Sequence, residues 1–215
     1  MTFMPSTKKL AALVLLAVAT SFSAYAQSDL DPESHARLPY LKKADTDTEG
    51  HRVWEIFGGS GQLTGPLAFA AYNPEVGDAL LNLHDAAIGG TLDAHSRELA
   101  IMVACRETNY NLEWNGHMAS AKRAGVSEKV LDVVRNGGSL NGLDEKDATI
   151  IRFGRELYGD RKVDSATFKK VVDLWGARGA MDMVAVMNTY AVSGFFAIAV
   201  DEQAAEGAES LPPMK

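Results

Sequence analysis

The chain has 215 residues, 28 acidic against 21 basic, and a net charge of −7. At 47% hydrophobic and 8% aromatic it can bury a substantial core, which excludes disorder throughout. Its negative charge denies it the basic face that phosphate binding needs, so no nucleic-acid partner is expected. A single cysteine, Cys105, excludes an internal disulfide framework, a Cys-x-x-Cys redox pair and a multi-cysteine zinc site.

The first 26 residues read as an address. Lys8 and Lys9 precede an apolar run over residues 10–18, and Ala24-Tyr25-Ala26 forms an A-x-A-like cleavage site. The run is shorter than the roughly 20 residues a membrane helix needs. A cleaved signal peptide over 1–26 is therefore expected, with a periplasmic or secreted mature protein. Residues 27–49 are polar, hold Pro32 and Pro39, and look like a flexible N-terminal arm.

Beyond the arm the pattern is helical. Val53, Trp54, Ile56 and Phe57 predict a short helix stopped by Gly58-Gly59. Residues 67–72 form an apolar turn, and Asn73-Pro74 opens a helix that ends at Gly89-Gly90. Asp93 is a good N-cap for a helix to about Thr108. The next runs from about Leu112 to Ala124 and stops at Gly125. Ser127, Asp144 and Asp164 each cap a further helix, broken at Gly137-Gly138, near Gly159 and at Gly176. The last helix is placed over 181–204. Its centre is nearly all apolar, which predicts burial on most sides or packing against another subunit. No segment alternates with period two, so the fold is expected to be all-α.

Chemistry concentrates in one stretch. Glu113 and His117 are four apart on a helix and share a face. A carboxylate there orients the imidazole and raises its pKa, giving an acid or base usable near neutral pH. Glu98, on the preceding helix, reaches the same face if the two helices pack antiparallel. The plainer alternative is a solvated Glu/His pair. Trp54, Trp114 and Trp175 suit core positions, with Trp114 the candidate pocket wall. Cys105 sits in the apolar run Ile101-Met102-Val103-Ala104 and reads as a buried hydrophobe. His35, His51, His84 and His95 have no ligand spacing and read as surface or capping residues. No zinc motif occurs, so no metal site is expected.

Arg97-Glu98-Leu99, Ala104-Cys105-Arg106, Glu113-Trp114-x-x-His117 and Ala121-x-x-Ala124-Gly125 resemble the carboxymuconolactone decarboxylase family of the alkyl hydroperoxidase D-like superfamily. Leu63-Thr64-Gly65-Pro66, Asn73-Pro74-Glu75 and Glu156-Leu157 through Thr167-Phe168 extend the resemblance over roughly 50–205, leaving 206–215 as a C-terminal tail. It implies an all-helical bundle that forms homo-oligomers. The peroxidase branch carries Cys-x-x-Cys four residues before its histidine; here those positions are Tyr110 and Glu113. The decarboxylase branch implies a lyase without cofactor. There His117, held by Glu113 or Glu98, moves a proton on a small carboxylated lactone or related acid, and Arg97 or Arg106 holds a substrate carboxylate bidentately. The alternatives are a peroxidase-like redox activity through Cys105 and a non-catalytic helical oligomer that binds a small acid.

Overall fold

The computed structural model describes residues 29–45, 51–59, 61–65, 67–204 and 207–213. The expected signal peptide and its cleavage site lie outside them, as does part of the arm. Among the described residues the fold is all-α, with seven helices and no strand. These are α1 (Arg52–Phe57), α2 (Pro74–Ile88), α3 (Ala94–Glu107), α4 (Asn111–Arg123), α5 (Glu128–Asn136), α6 (Glu145–Arg155) and α7 (Ser165–Ala199). A π-helical turn, Glu156–Asp160, prolongs α6.

Local chemistry sets the helix starts. The side chains of Asn73, Asp93, Ser127, Asp144 and Asp164 accept from the backbone N–H of Val76, Ser96, Val130, Lys146 and Ala166. Each bond satisfies a first-turn donor that has no partner inside its helix. Gly137, at φ 64°, turns the chain out of α5 through the left-handed region.

Helix α3 is the axle of the bundle. Every residue from Leu99 to Arg106 is buried, and α4, α5, α6 and α7 all pack on it. A helix that is apolar on all sides needs neighbours on all sides. Gly154 on α6 permits the closest crossing, since a Cβ there would overlap the side chain of Val103.

Helix α7 differs from expectation. It breaks at Gly176 (φ 71°, ψ 172°), as expected, but resumes at once and ends at Ala199. Residues 177–180 hold no bulky apolar residue to reveal that restart. Asp182, near the start of this second segment, accepts from the N–H and hydroxyl of Thr91 and tethers α7 to the loop before α3. Helix α7 is long and apolar enough to cross a membrane, yet 56% of its most apolar window is buried inside the fold. It is a core helix with one bare face.

The described segments before α1 and after α7 are seated on the bundle. Residues 29–45, expected as a flexible arm, bury Ala36 completely. They bond back to the end of α7 through Arg37 N–H to Val200 O (2.7 Å) and Gln203 N–H to His35 O (2.9 Å). The tail buries Leu211 in the main core.

Candidate functional site

His117 sits on α4, with α3 beneath it and α7 beside it. Its Nδ1 lies 3.0 Å from Glu98 Oε2 and its Nε2 lies 3.2 Å from Glu113 Oε2. Antiparallel packing of α3 and α4 supplies the first contact, and the i, i+4 spacing on α4 supplies the second. All three side chains are largely buried. Burial pulls the His117 pKa down, but the bonds and charges of Glu113 and Glu98 outweigh it and push the value up to about 9. At neutral pH the ring is therefore an imidazolium with both N–H groups donating.

A cavity of about 210 Å³ opens beside this clamp. Glu113 and His117 line it from α4, His84 from α2, Leu67 from the turn before α2, and Thr189, Tyr190 and Ser193 from α7. The Tyr190 ring meets the His117 ring edge-on, with centroids 4.9 Å apart. Glu98 does not line the cavity. It holds Nδ1 from behind, whereas Glu113, on Nε2, lines the cavity together with His117.

Of the residues singled out from sequence, Glu98, Glu113 and His117 are brought together. Arg97 stands half-buried beside them, and its positive charge acts on the Tyr190 hydroxyl. It forms no ion pair with another described residue. Arg97, Arg106 and Trp114, the expected substrate-binding residues, are not among those that line this cavity. Arg106 is eight residues along α3 from Glu98, about 12 Å at helical rise. Its guanidinium donates to the carbonyl of Pro212 at 2.8 Å. Trp114 is buried in the core under Arg135, 5.5 Å from its guanidinium. Burial, with the charges of Glu113 and Glu98, raises the Cys105 thiol well above its ordinary range. It is not poised as a thiolate.

The sequence reading missed His84. That histidine lies three residues after Leu81 and four before Ile88, on the inward stripe of α2, and this position is the signal that could have found it. Two other histidines pair with carboxylates away from the cavity: His51 with Asp78 at 2.9 Å and His95 with Asp147 at 2.7 Å. Among the described residues no group of His, Cys, Asp and Glu is placed to hold a metal ion. In the clamp itself, both ring nitrogens of His117 are already engaged.

No curated protein matches the sequence. Among solved structures, the chain is similar to that of a debrominase, Bmp8, determined as a cysteine-to-alanine variant in complex with 2,3,4-tribromopyrrole. The TM-score is 0.60 at 13% identity, over 80% of this chain and 94% of that one. At that identity the likeness is one of fold. Residues 74–150, which contain Glu98, Glu113 and His117, match the model of the Carboxymuconolactone decarboxylase family.

Proposed function

We propose that the protein is an exported lyase of the carboxymuconolactone decarboxylase type. It acts on a small carboxylated lactone or related organic acid, with His117 as the proton donor. The observation that carries this reading is the imidazolium of His117, held by two carboxylates at the wall of a small, largely apolar cavity.

The chemistry follows from charge. The substrate's carboxylate leaves as carbon dioxide, and the electron pair of the broken C–C bond remains as an enolate-like carbanion. Nε2–H of His117 protonates that carbon. The neutral ring then recovers a proton from solvent, favoured by the two flanking carboxylates. Glu98 holds Nδ1–H and so fixes the ring's orientation; Glu113 steadies the proton on Nε2 until the carbanion forms. Apolar walls from Leu67 and Tyr190 favour losing the substrate's charge as neutral carbon dioxide. The clamp alone carries net negative charge, so an acid substrate needs a cation near it, and Arg97 is the one at hand. No cofactor enters this scheme.

Export rests on the n-region, apolar run and cleavage-site pattern of residues 1–26. The alternative redox reading requires a thiolate, and the buried Cys105 does not supply one.

The test pairs two substitutions against a panel of small carboxylated lactones. His117→Gln should lose on the order of 10²–10⁴-fold in kcat, the usual worth of a positioned acid. Cys105→Ser should keep most activity, with both variants folded by circular dichroism. Peroxide consumption that disappears in Cys105→Ser and survives in His117→Gln would overturn the lyase reading.

A further inference from the structure

The last residues of the chain are bonded to the helix that carries His117, on the face away from the cavity. Asn111 and Asn115 are one turn apart on α4. Asn111 Oδ1 accepts from the Leu211 N–H at 2.7 Å, and Asn115 Nδ2 donates to the Glu209 carbonyl at 2.8 Å. At 3.6 residues per turn, Glu113 lies about 200° round the helix from Asn111, and His117 the same from Asn115. Helix α4 is thus held between the tail on one side and the Glu98 contact on the other.

The attachment is built in. Leu211 is 6% exposed and packs in the main core. Arg106, also buried, donates to the carbonyls of Pro212 and Pro213. A buried guanidinium deprived of those acceptors would be costly. Arg135 pairs with the Glu209 carboxylate at 2.9 Å while lying over Trp114, the residue next to Glu113.

Helix α4 needs such a hold. Its N-cap residue, Tyr110, has no side chain bonded to the first-turn N–H groups, whereas α2, α3, α5, α6 and α7 all have that bond. An uncapped first turn frays, and this first turn carries Glu113.

We propose that residues 209–213 are a positioning strap, a clasp that keeps the first turn of α4 wound and so holds Glu113 against His117. The strap touches neither cavity nor substrate and acts through α4. It deepens the lyase reading and rests on it for its purpose, but its test needs no turnover.

The experiment releases the strap in the full-length protein and reads two signals by NMR: the titration midpoint of His117 and amide exchange in the first turn of α4. Leu211→Asp breaks the core contact. Asn111→Ala with Asn115→Ala removes the two side-chain bonds to the strap, together with the Asn115 bond to the Asn111 carbonyl inside α4, leaves the Leu211 core contact, and serves if the first variant does not fold. In either, the His117 midpoint should fall by about one pH unit as Glu113 loosens. Exchange over residues 111–114 should quicken at least tenfold, with the α3 and α6 amides unchanged. Leu211→Met should behave as the parent. A freed tail, seen by sharpened resonances of its last residues, with an unmoved His117 midpoint would overturn the proposal. His117→Gln that leaves lactone turnover intact would overturn the lyase reading alone and leave the strap standing.

Discussion

At the scale of single residues, the site turns on one imidazole between two acids. Sequence spacing alone placed Glu113 beside His117 and predicted a group that serves as acid or base near neutrality. The structure puts Glu98, reaching across from α3, on the other nitrogen, and the two acids together set the ring's charge. With its pKa pushed up to about 9, the ring is protonated at neutral pH, the state that the proposed proton donor requires. Glu113→Gln removes one of the two charges and one acceptor. The His117 midpoint should then drop by about one unit or more, read from its ring proton shifts against pH. The single cysteine illustrates the opposite environment. Cys105 lies near the same two acids, whose negative charge disfavours a thiolate while burial removes its hydration. An unmoved His117 midpoint in Glu113→Gln would mean that the 3.2 Å contact carries no charge coupling.

At the scale of elements, the fold was legible wherever local chemistry decides it. The Asp93, Ser127, Asp144 and Asp164 caps work as spacing predicts because an N-cap needs only its own next three residues. Gly137 ends α5 for the equally local reason of its left-handed backbone. What stayed hidden depends on distant partners. The arm and the tail have no apolar period, so nothing local announces that Ala36 and Leu211 are buried. The site shows the same division. Glu113 and His117 declare themselves by an i, i+4 spacing, and Glu98 by a short helix connection. His84 on α2 and Thr189, Tyr190 and Ser193 on α7 are more than 100 residues apart in the chain, and only packing assembles them. Arg106 and Trp114 do not line the cavity for a directional reason. Being near in sequence to Glu98 or His117 does not say which way round the helix a side chain points.

At the scale of the whole molecule, α7 presents a bare apolar stripe. Met181 and Phe195 are 14 residues apart, four helical turns, and Ile198 follows one turn later; all three are about half exposed or more. A second copy of the chain is the natural cover for such a stripe, which is the basis for expecting a homo-oligomer. Light scattering at micromolar concentration should find a species at least twice the mass of the single chain used, and Phe195→Glu should shift it toward monomer. A monomer alone in the parent protein would remove that expectation.

The pH dependence of stability is also a property of the whole fold, and its sign is set by two buried groups. His117 titrates near 6.5 when unfolded and at about 9 when folded. The folded state therefore binds the proton more tightly. The stability this contributes is complete below pH 6.5 and is lost as pH rises through 9, amounting to about 3 kcal/mol at most. Glu202, at the end of α7, acts in the same direction. Burial, helped by the charge of Glu113 and opposed by its bond from Tyr40, raises its carboxyl from 4.5 to about 7. Its contribution is complete below pH 4.5 and is lost as pH climbs through 7. Acids such as Asp182, held low first by its bonds from Thr91, work the other way. Their stabilisation is present above the ordinary carboxylate pKa of 3.8 and is lost as pH falls through their lower folded values. Urea unfolding across the pH range should therefore show greatest stability near pH 5, then a steady decline to pH 9. His117→Gln should flatten the part of that decline between pH 6.5 and 9 and leave the part below it, which belongs to Glu202 and to Glu107, whose carboxyl burial also raises. A parent profile that is level from pH 6.5 to 9 would show that the two carboxylates do not hold His117 as an imidazolium.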